Sequence, residues 1–331
     1  MRRQILYALI GSCAFVLWQV LVPLVHAQQQ IVDPDFKAVV EKPAYRRNGP
    51  VVAIDEAHSN FHTAGGQYRP FADLLTNDGY TVRASTTKFH KGAFAGIDVL
   101  VIANALSANA QSNPGLPAFT EEECDAVRDW VLQGGSLLLI SDHAPFGSAA
   151  ENLGKRFGVA MGKGWAFDRA TAGGITTQLV FSRENGLLGT HPILRGRAAS
   201  EVVTTVRSFT GQSLSVPDGA SVLLKLSTTS REAPAPNDLD MEEAAVRATG
   251  ATNETPGSHS TPAAGRSQGI AMTFGKGHIV VLGEAGMFSA QIARINEGNQ
   301  QREFKFGMNV PGNDDRQFAL NILHWLSGLL R

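Results

Sequence analysis

Short apolar runs alternate along this chain with segments in which apolar residues recur every three or four positions. Residues 51–54 are four apolar residues in succession, the pattern of a strand buried on both faces. Residues 68–78 place Phe71, Leu74 and Leu75 on one helical face and stop at Gly79. Strands are expected over 80–84 and 98–103. A helix from Thr120, with Val127, Trp130 and Val131 as its stripe, ends at Gly134-Gly135, and 136–140 reads as a fourth strand. A helix follows near 149–157. Near-continuous apolar strands alternating with amphipathic helices predict an α/β domain with a doubly wound, mainly parallel sheet of flavodoxin-like type.

The second half is less regular. Strand-like stretches occur at 178–181, 202–206 and 222–226, and residues 229–267 carry Pro, Asp, Glu, Ser, Thr and Gly with few large apolar side chains. That stretch is expected to be a long, flexible, solvated loop. Residues 269–274 and 278–282 flank Gly275-Lys276-Gly277 and predict a late antiparallel hairpin. The chain closes with a helix from Asp315 whose apolar face holds Phe318, Ile322, Leu323, Trp325 and Leu326. No repeat of solenoid or propeller period is present.

The N-terminus reads as an address. Arg2 and Arg3 precede an apolar run over 5–25, broken at Gln19 and Pro23, and Val25-His26-Ala27 offers a cleavage site, so 1–27 is expected to be a signal peptide. The alternative is an uncleaved membrane anchor, since the run is long enough to span a bilayer. Either way the domain at 50–331 is expected to be exported, periplasmic or extracellular, with 28–49 a polar lead-in across its surface.

Composition narrows the partners. The 331 residues are 43% hydrophobic and 18% charged, enough for a large core. With 29 basic and 30 acidic side chains there is no basic excess to suggest a nucleic-acid partner. Of two cysteines, Cys13 falls in the targeting segment, so Cys124 has no intramolecular partner in a mature chain. Cys124 sits on an amphipathic helix among Glu121, Glu122, Glu123 and Asp125, which disfavour a thiolate, and it reads as structural.

In an open parallel sheet, ligands bind beyond the carboxyl ends of the strands. The first strand runs into Asp55-Glu56-Ala57-His58-Ser59-Asn60-Phe61-His62, the fourth into Ser141-Asp142-His143, and the late hairpin into Gly283-Glu284. Asp142, His143 and Glu284 are therefore the candidate catalytic residues, and Asp55, His58, Asn60 and His62 the candidate ligand-binding ones. Such a set can hold a divalent metal that activates water, or can act without one, with His58 or His143 as general base oriented by Asp142 or Glu284. The competing reading makes the same residues turn and helix caps. Asp55-Glu56-Ala57-His58 also spells a helicase metal box, but no Gly-rich loop ending in Gly-Lys-Ser/Thr accompanies it, which excludes a nucleotide-driven motor. His191 and His324 read as structural, and Trp165 and Phe167 as core residues or an aromatic wall.

The strand–helix order, with 134–140 and the Phe274-Gly275-Lys276-Gly277 hairpin, resembles the class I glutamine amidotransferase-like superfamily. It resembles most the non-amidotransferase branches: trehalose-utilisation-type domains and exported domains related to gliding-motility and intraflagellar-transport proteins. The resemblance implies a flavodoxin-like sheet with its site at the carboxyl edge. It also exposes departures, since Ser141-Asp142-His143 stands where an amidotransferase places its nucleophilic Cys, and Gly283-Glu284 where it places its His. Ser141 lacks the Gly-x-Ser-x-Gly setting of a nucleophile elbow. Two functions remain open: an exported domain, hydrolase-like, that binds a small polar or carbohydrate-type ligand, or a non-catalytic binding or scaffolding module with an envelope protein as partner.

Overall fold

The computed structural model describes residues 27–331, apart from 47, 172–175, 251–254 and 298–299. In chain order its elements are β1 (Ala27–Val32), β2 (Val51–Asp55), α1 (Arg69–Asn77), β3 (Thr81–Ser85), β4 (Val99–Ala103), α2 (Glu121–Leu132), β5 (Ser136–Ile140), α3 (Phe146–Lys155), β6 (Trp165–Asp168) and β7 (Gln178–Ser182). There follow α4 (Pro192–Arg195), β8 (Thr205–Phe209), β9 (Ser221–Lys225), β10 (Ser230–Ala233), α5 (Pro236–Thr249), β11 (Thr261–Pro262), β12 (Ser267–Phe274), β13 (Gly277–Leu282), β14 (Ala290–Glu297), β15 (Gln300–Gly307) and α6 (Asp315–Leu326).

The central sheet has seven strands in the order β3-β2-β4-β5-β13-β12-β9. The first five run parallel, and β12 is antiparallel to both β13 and β9. The protein is thus an α/β domain with a mainly parallel sheet and the late hairpin. Strands β4 and β5 are buried at every position, because helices cover both faces. Val52, Ile54, Val101, Leu138 and Val280 face one layer with Phe71 and Leu74 of α1 and Phe318 and Ile322 of α6. Ala53, Leu100, Ile102, Leu137, Leu139 and Val281 face the other, with Val127 and Val131 of α2 and Leu153 of α3. Each such large side chain removed from water contributes about 1.5–3 kcal/mol.

Local chemistry fixes the element ends. Thr120 caps α2 through its hydroxyl to the Glu123 N–H at 3.2 Å, while a Glu123 oxygen accepts from the Thr120 N–H at 2.9 Å. The β12–β13 turn is tight, with Phe274 paired to Gly277 and Gly275 at a φ of 60°.

Two expectations need correction. Residues 28–49 are more than a surface lead-in, since β1 pairs antiparallel with β14, which in turn pairs with β15. Residues 229–267 are not an unstructured loop: they form β10, α5 and β11, and β10 bridges β6 and β11. The apolar signal there is thin because part of this subdomain's interior is polar. Glu242 of α5 is fully buried and accepts from Arg169 Nε at 2.9 Å, Thr255 Oγ1 at 2.7 Å and Ser258 Oγ at 2.8 Å. Burial alone would raise the Glu242 carboxyl pKa, but these donors hold it below the usual range. No helix among the described residues is long and apolar enough to cross a membrane, and the signal-peptide or anchor segment lies outside the described residues save Ala27.

Candidate functional site at the carboxyl edge

Because β2, β4, β5 and β13 are parallel, their carboxyl ends deliver Asp55, Asn104, Ser141-Asp142 and Glu284 to one edge. Glu284 is sealed from solvent, at 1% exposure. Its approach depends on two glycines. Gly211, at a φ of 75°, lies so close to Gly283 that a Cβ would sit 2.4 Å from the Gly283 carbonyl oxygen, and this fit lets the Gln212 N–H reach that oxygen at 2.7 Å. The Glu284 oxygens accept from the main-chain N–H groups of Gly286 at 2.6 Å and Met287 at 2.8 Å. Burial and the neighbouring Asp142 charge nevertheless push its pKa well above the usual carboxylate range, against the pull of those two N–H groups.

Asp142 accepts from the His143 N–H at 2.7 Å and the Ala285 N–H at 3.3 Å. Tyr68, fully buried, donates its hydroxyl to the Ala285 carbonyl at 2.9 Å. Burial, Glu284 and Asp142 together hold it as a phenol. Ser141 is sealed beneath this pair, with Gln212 Nε2 donating to its carbonyl at 2.7 Å and to its Oγ at 3.1 Å.

Asn104 links His62 to this group. Its Oδ1 accepts from the Asp142 N–H at 2.9 Å, which turns its Nδ2 toward His62 Nδ1 at 3.1 Å. Nδ1 must then be the acceptor, so the proton of the neutral ring sits on Nε2, which is buried without a partner. Burial lowers the His62 pKa to about 3. Asn104 and Thr210 hold φ values of 48° and 50°, and strain of this kind costs about 1–3 kcal/mol at a β-branched residue such as Thr210.

Asp55 and His58 form a second cluster. His58 Nδ1 lies 2.8 Å from Asp55 and Nε2 lies 3.1 Å from Glu123, between the rings of Phe89 and Phe119 at 4.4 and 4.7 Å. Both ring nitrogens are engaged and both side chains are sealed, which corrects the assignment of Asp55 and His58 to a ligand-facing surface. Burial works against the Glu123 charge, but the Thr120 N–H and His58 keep its pKa below the usual range. Asn60 pins the same loop, accepting from the His58 N–H at 3.0 Å and donating to the Ala103 carbonyl at 3.3 Å.

His143 is the accessible member. Its Nδ1 lies 2.8 Å from the Ala144 carbonyl and so carries the proton, leaving the lone pair of the neutral ring on Nε2. Its ring stacks on Trp165 at 5.5 Å, and Phe146 sits 6.3 Å from it and 6.2 Å from Phe61. Phe61 is 50% exposed and borders an open cavity of about 400 Å³ that includes Gln67 and Arg69. Phe167 is fully buried and packs in the core with Ala233 and Leu239.

The structure therefore brings Asp142 and Glu284 together, ties them to His143 only through its main-chain N–H on Asp142, joins His62 to the Asp142 main chain through Asn104, and diverts Asp55 and His58 to Glu123. Among the described residues no three His, Cys, Asp or Glu side chains are grouped to hold a metal ion. Cys124 is buried, and burial pushes its thiol up to about 12. His191 caps α4, and His324 is buried against Asp78. Sequence reading missed Asn104, Tyr68, Gln212 and Glu123. Asn104 was findable, because it follows β4 at the same edge, whereas Tyr68 and Gln212 arrive from elements whose placement depends on tertiary packing.

No family model and no curated protein matches this chain. Solved structures are similar to it. The mmIFT52 N-terminal domain superposes with a TM-score of 0.55 at 12% identity, covering 84% of this chain and 97% of that one. A ThuA-like protein from Bacteroides uniformis gives 0.40 at 13% identity over 89% and 95% of the two chains. PurLQS from Thermotoga maritima gives 0.40 at 11% over 84% and 100%. The first likeness is one of fold, and the other two overlaps are too loose to carry inference.

Proposed function

We propose that this is an exported domain of the non-amidotransferase branch that binds a small polar, carbohydrate-type ligand at the carboxyl edge of its sheet. The observation that carries the reading is the Asp142–Glu284 pair, two buried carboxyl groups in which the Asp142 charge raises the Glu284 pKa, at the strand end that continues into His143, whose ring neighbours Trp165 and Phe146, with Phe61 beyond Phe146. Aromatic faces stack on the apolar face of a sugar, and polar groups below them read its hydroxyls. Glu284, whose pKa is raised by burial and the Asp142 charge, is the group suited to give a proton, and the His143 Nε2 lone pair is the one suited to take one from water or a ligand hydroxyl. That division suits hydrolysis by acid and base. Thiol chemistry of the amidotransferase kind has no counterpart here, since Asp142 follows a buried, hydrogen-bonded Ser141.

A second reading, a non-catalytic binding or scaffolding module, is favoured by one feature: both Glu284 oxygens are already occupied by main-chain N–H groups. Calorimetric titration of the full chain with a panel of mono- and disaccharides, alongside an assay for released reducing sugar, separates the two. The proposal expects saturable binding that weakens at least tenfold in Phe61→Ala and His143→Ala with little change in melting temperature, and turnover that disappears in Glu284→Gln. Binding without turnover would favour the module. Absence of saturable binding across the panel would sink the carbohydrate reading.

A further inference from the structure

The segment that leads into β2 and the turn after β7 each contain an Asn-Gly pair, Asn48-Gly49 and Asn185-Gly186. Glycine has no Cβ to obstruct its own nitrogen, so in either pair that main-chain nitrogen can close a five-membered ring on the asparagine side chain. The ring forms only where the side-chain amide and the glycine N–H are free to approach each other. The fold treats the two pairs differently.

Asn48 is exposed, and its backbone is left-handed at a φ of 51°. Asparagine enters this region more readily than most residues. Neither its side chain nor the Gly49 N–H makes a hydrogen bond among the described residues. The glycine is compulsory, since a Cβ at 49 would sit 2.2 Å from the Gly79 carbonyl oxygen. Asn185 is also exposed, but its amide is tied at both ends. Its Oδ1 accepts from the Ser182 N–H at 2.9 Å and the Leu187 N–H at 3.1 Å, and its Nδ2 donates to the Val180 carbonyl at 2.8 Å. Ring closure at 185 has to break all three bonds, and their combined worth slows it at least tenfold.

We propose that Asn48 is a site of spontaneous succinimide formation in the folded protein, converting to isoaspartate and aspartate, while the fold spares Asn185. The Gly49 nitrogen, its proton lost to hydroxide, attacks Asn48 Cγ. The N–Cγ bond forms as the Cγ–Nδ2 bond breaks, and ammonia leaves with a proton taken from water. Water then opens the imide. Opening at Cγ restores the peptide with aspartate at 48, and opening at the main-chain carbonyl leaves isoaspartate, with the chain running through Cγ. The net change is amide plus water to carboxylate plus ammonium, without oxidant or reductant. Isoaspartate lengthens the main chain between two anchored points. On one side the Ala44 and Tyr45 N–H groups donate to Asp78 at 2.7 and 3.0 Å, and on the other the Pro50 carbonyl accepts from the Thr81 N–H at 3.0 Å. The site is independent of the carboxyl-edge reading.

The full chain is aged in mildly alkaline buffer, folded and, in parallel, unfolded in urea, then digested with chymotrypsin. Mass spectrometry follows the peptides that carry Asn48 and Asn185, and an isoaspartate-directed methyltransferase with a labelled methyl donor scores isoaspartate in each. In the folded chain the Asn48 peptide should gain the amide-to-acid mass at least tenfold faster than the Asn185 peptide and should accept methyl groups. In urea the gap should close, because both pairs are then equally free. Asn48→Gln, which would need a larger ring, should end conversion at that position and leave the Asn185 peptide unchanged. Equal rates in the folded chain, faster conversion at Asn185, a gap that persists in urea, or conversion at 48 without isoaspartate would each overturn the proposal.

Discussion

Acidification should act on the fold through His62, and the size of the effect follows from its position. The ring is 3% exposed, its Nδ1 receives Asn104 Nδ2, and burial lowers its pKa from 6.5 to about 3. At pH 7.5 the ring is neutral in folded and unfolded chains, so it adds no pH-dependent term. As pH falls through 6.5 the unfolded chain takes up a proton that the folded chain refuses, and stability declines by about 1.36 kcal/mol per pH unit. At pH 5.0 the deficit is about 2 kcal/mol, and it grows until the folded ring titrates near 3. His62→Gln keeps an acceptor for Asn104 and removes the titration. Urea unfolding of both proteins at pH 7.5 and 5.0 yields a double difference in which the other titrating groups largely cancel. Wild type should lose about 2 kcal/mol more than the variant between the two pH values. Equal losses would refute the reasoning, as would a nuclear magnetic resonance titration that placed the native His62 near 6.5.

Two further substitutions test the buried acids. The folded Glu284 pKa is raised, so the stability this group contributes is complete below its unfolded value of 4.5 and is lost as pH rises through the folded value. Glu284→Gln should therefore gain on wild type in thermal melts as pH goes from 4 to 8, and a flat difference would contradict the assignment. Glu242→Ala strips the buried Arg169 guanidinium of its carboxylate and should cost about 3–5 kcal/mol in urea unfolding, with faster proteolysis within α5. A loss under about 1 kcal/mol would mean that the subdomain tolerates the charge.

The parallel half of the molecule was legible because its information is local. Fully buried strands such as β4 and β5 read as unbroken apolar runs, and α2 announces itself by its Thr120 start and Gly134-Gly135 stop. The remainder was hidden for identifiable reasons. β1 is a Gln-rich stretch that becomes a strand only through β14, and α5 packs a carboxylate where pattern reading looks for leucine. At the site the strand-end rule located Asp142 and Glu284, yet it could not separate them from Asp55 and His58. That separation depends on Glu123, which reaches His58 from a helix 65 residues away.

That separation carries a physical criterion for function. Polar clusters that serve only the scaffold are matched inside themselves: His58 has a carboxylate on each nitrogen, and Glu242 collects hydroxyl and guanidinium donors until its charge is favoured. The Asp142–Glu284 neighbourhood is mismatched instead. Two carboxyl groups repel, Tyr68 is enclosed with them, His62 Nε2 has no partner, and Asn104 and Thr210 hold left-handed backbones. Each of these lowers the stability of the native state, and simple hydrophobic or hydrogen-bonded replacements would relieve it. Costs concentrated at one sheet edge favour a ligand or a reaction over packing as the reason for that arrangement.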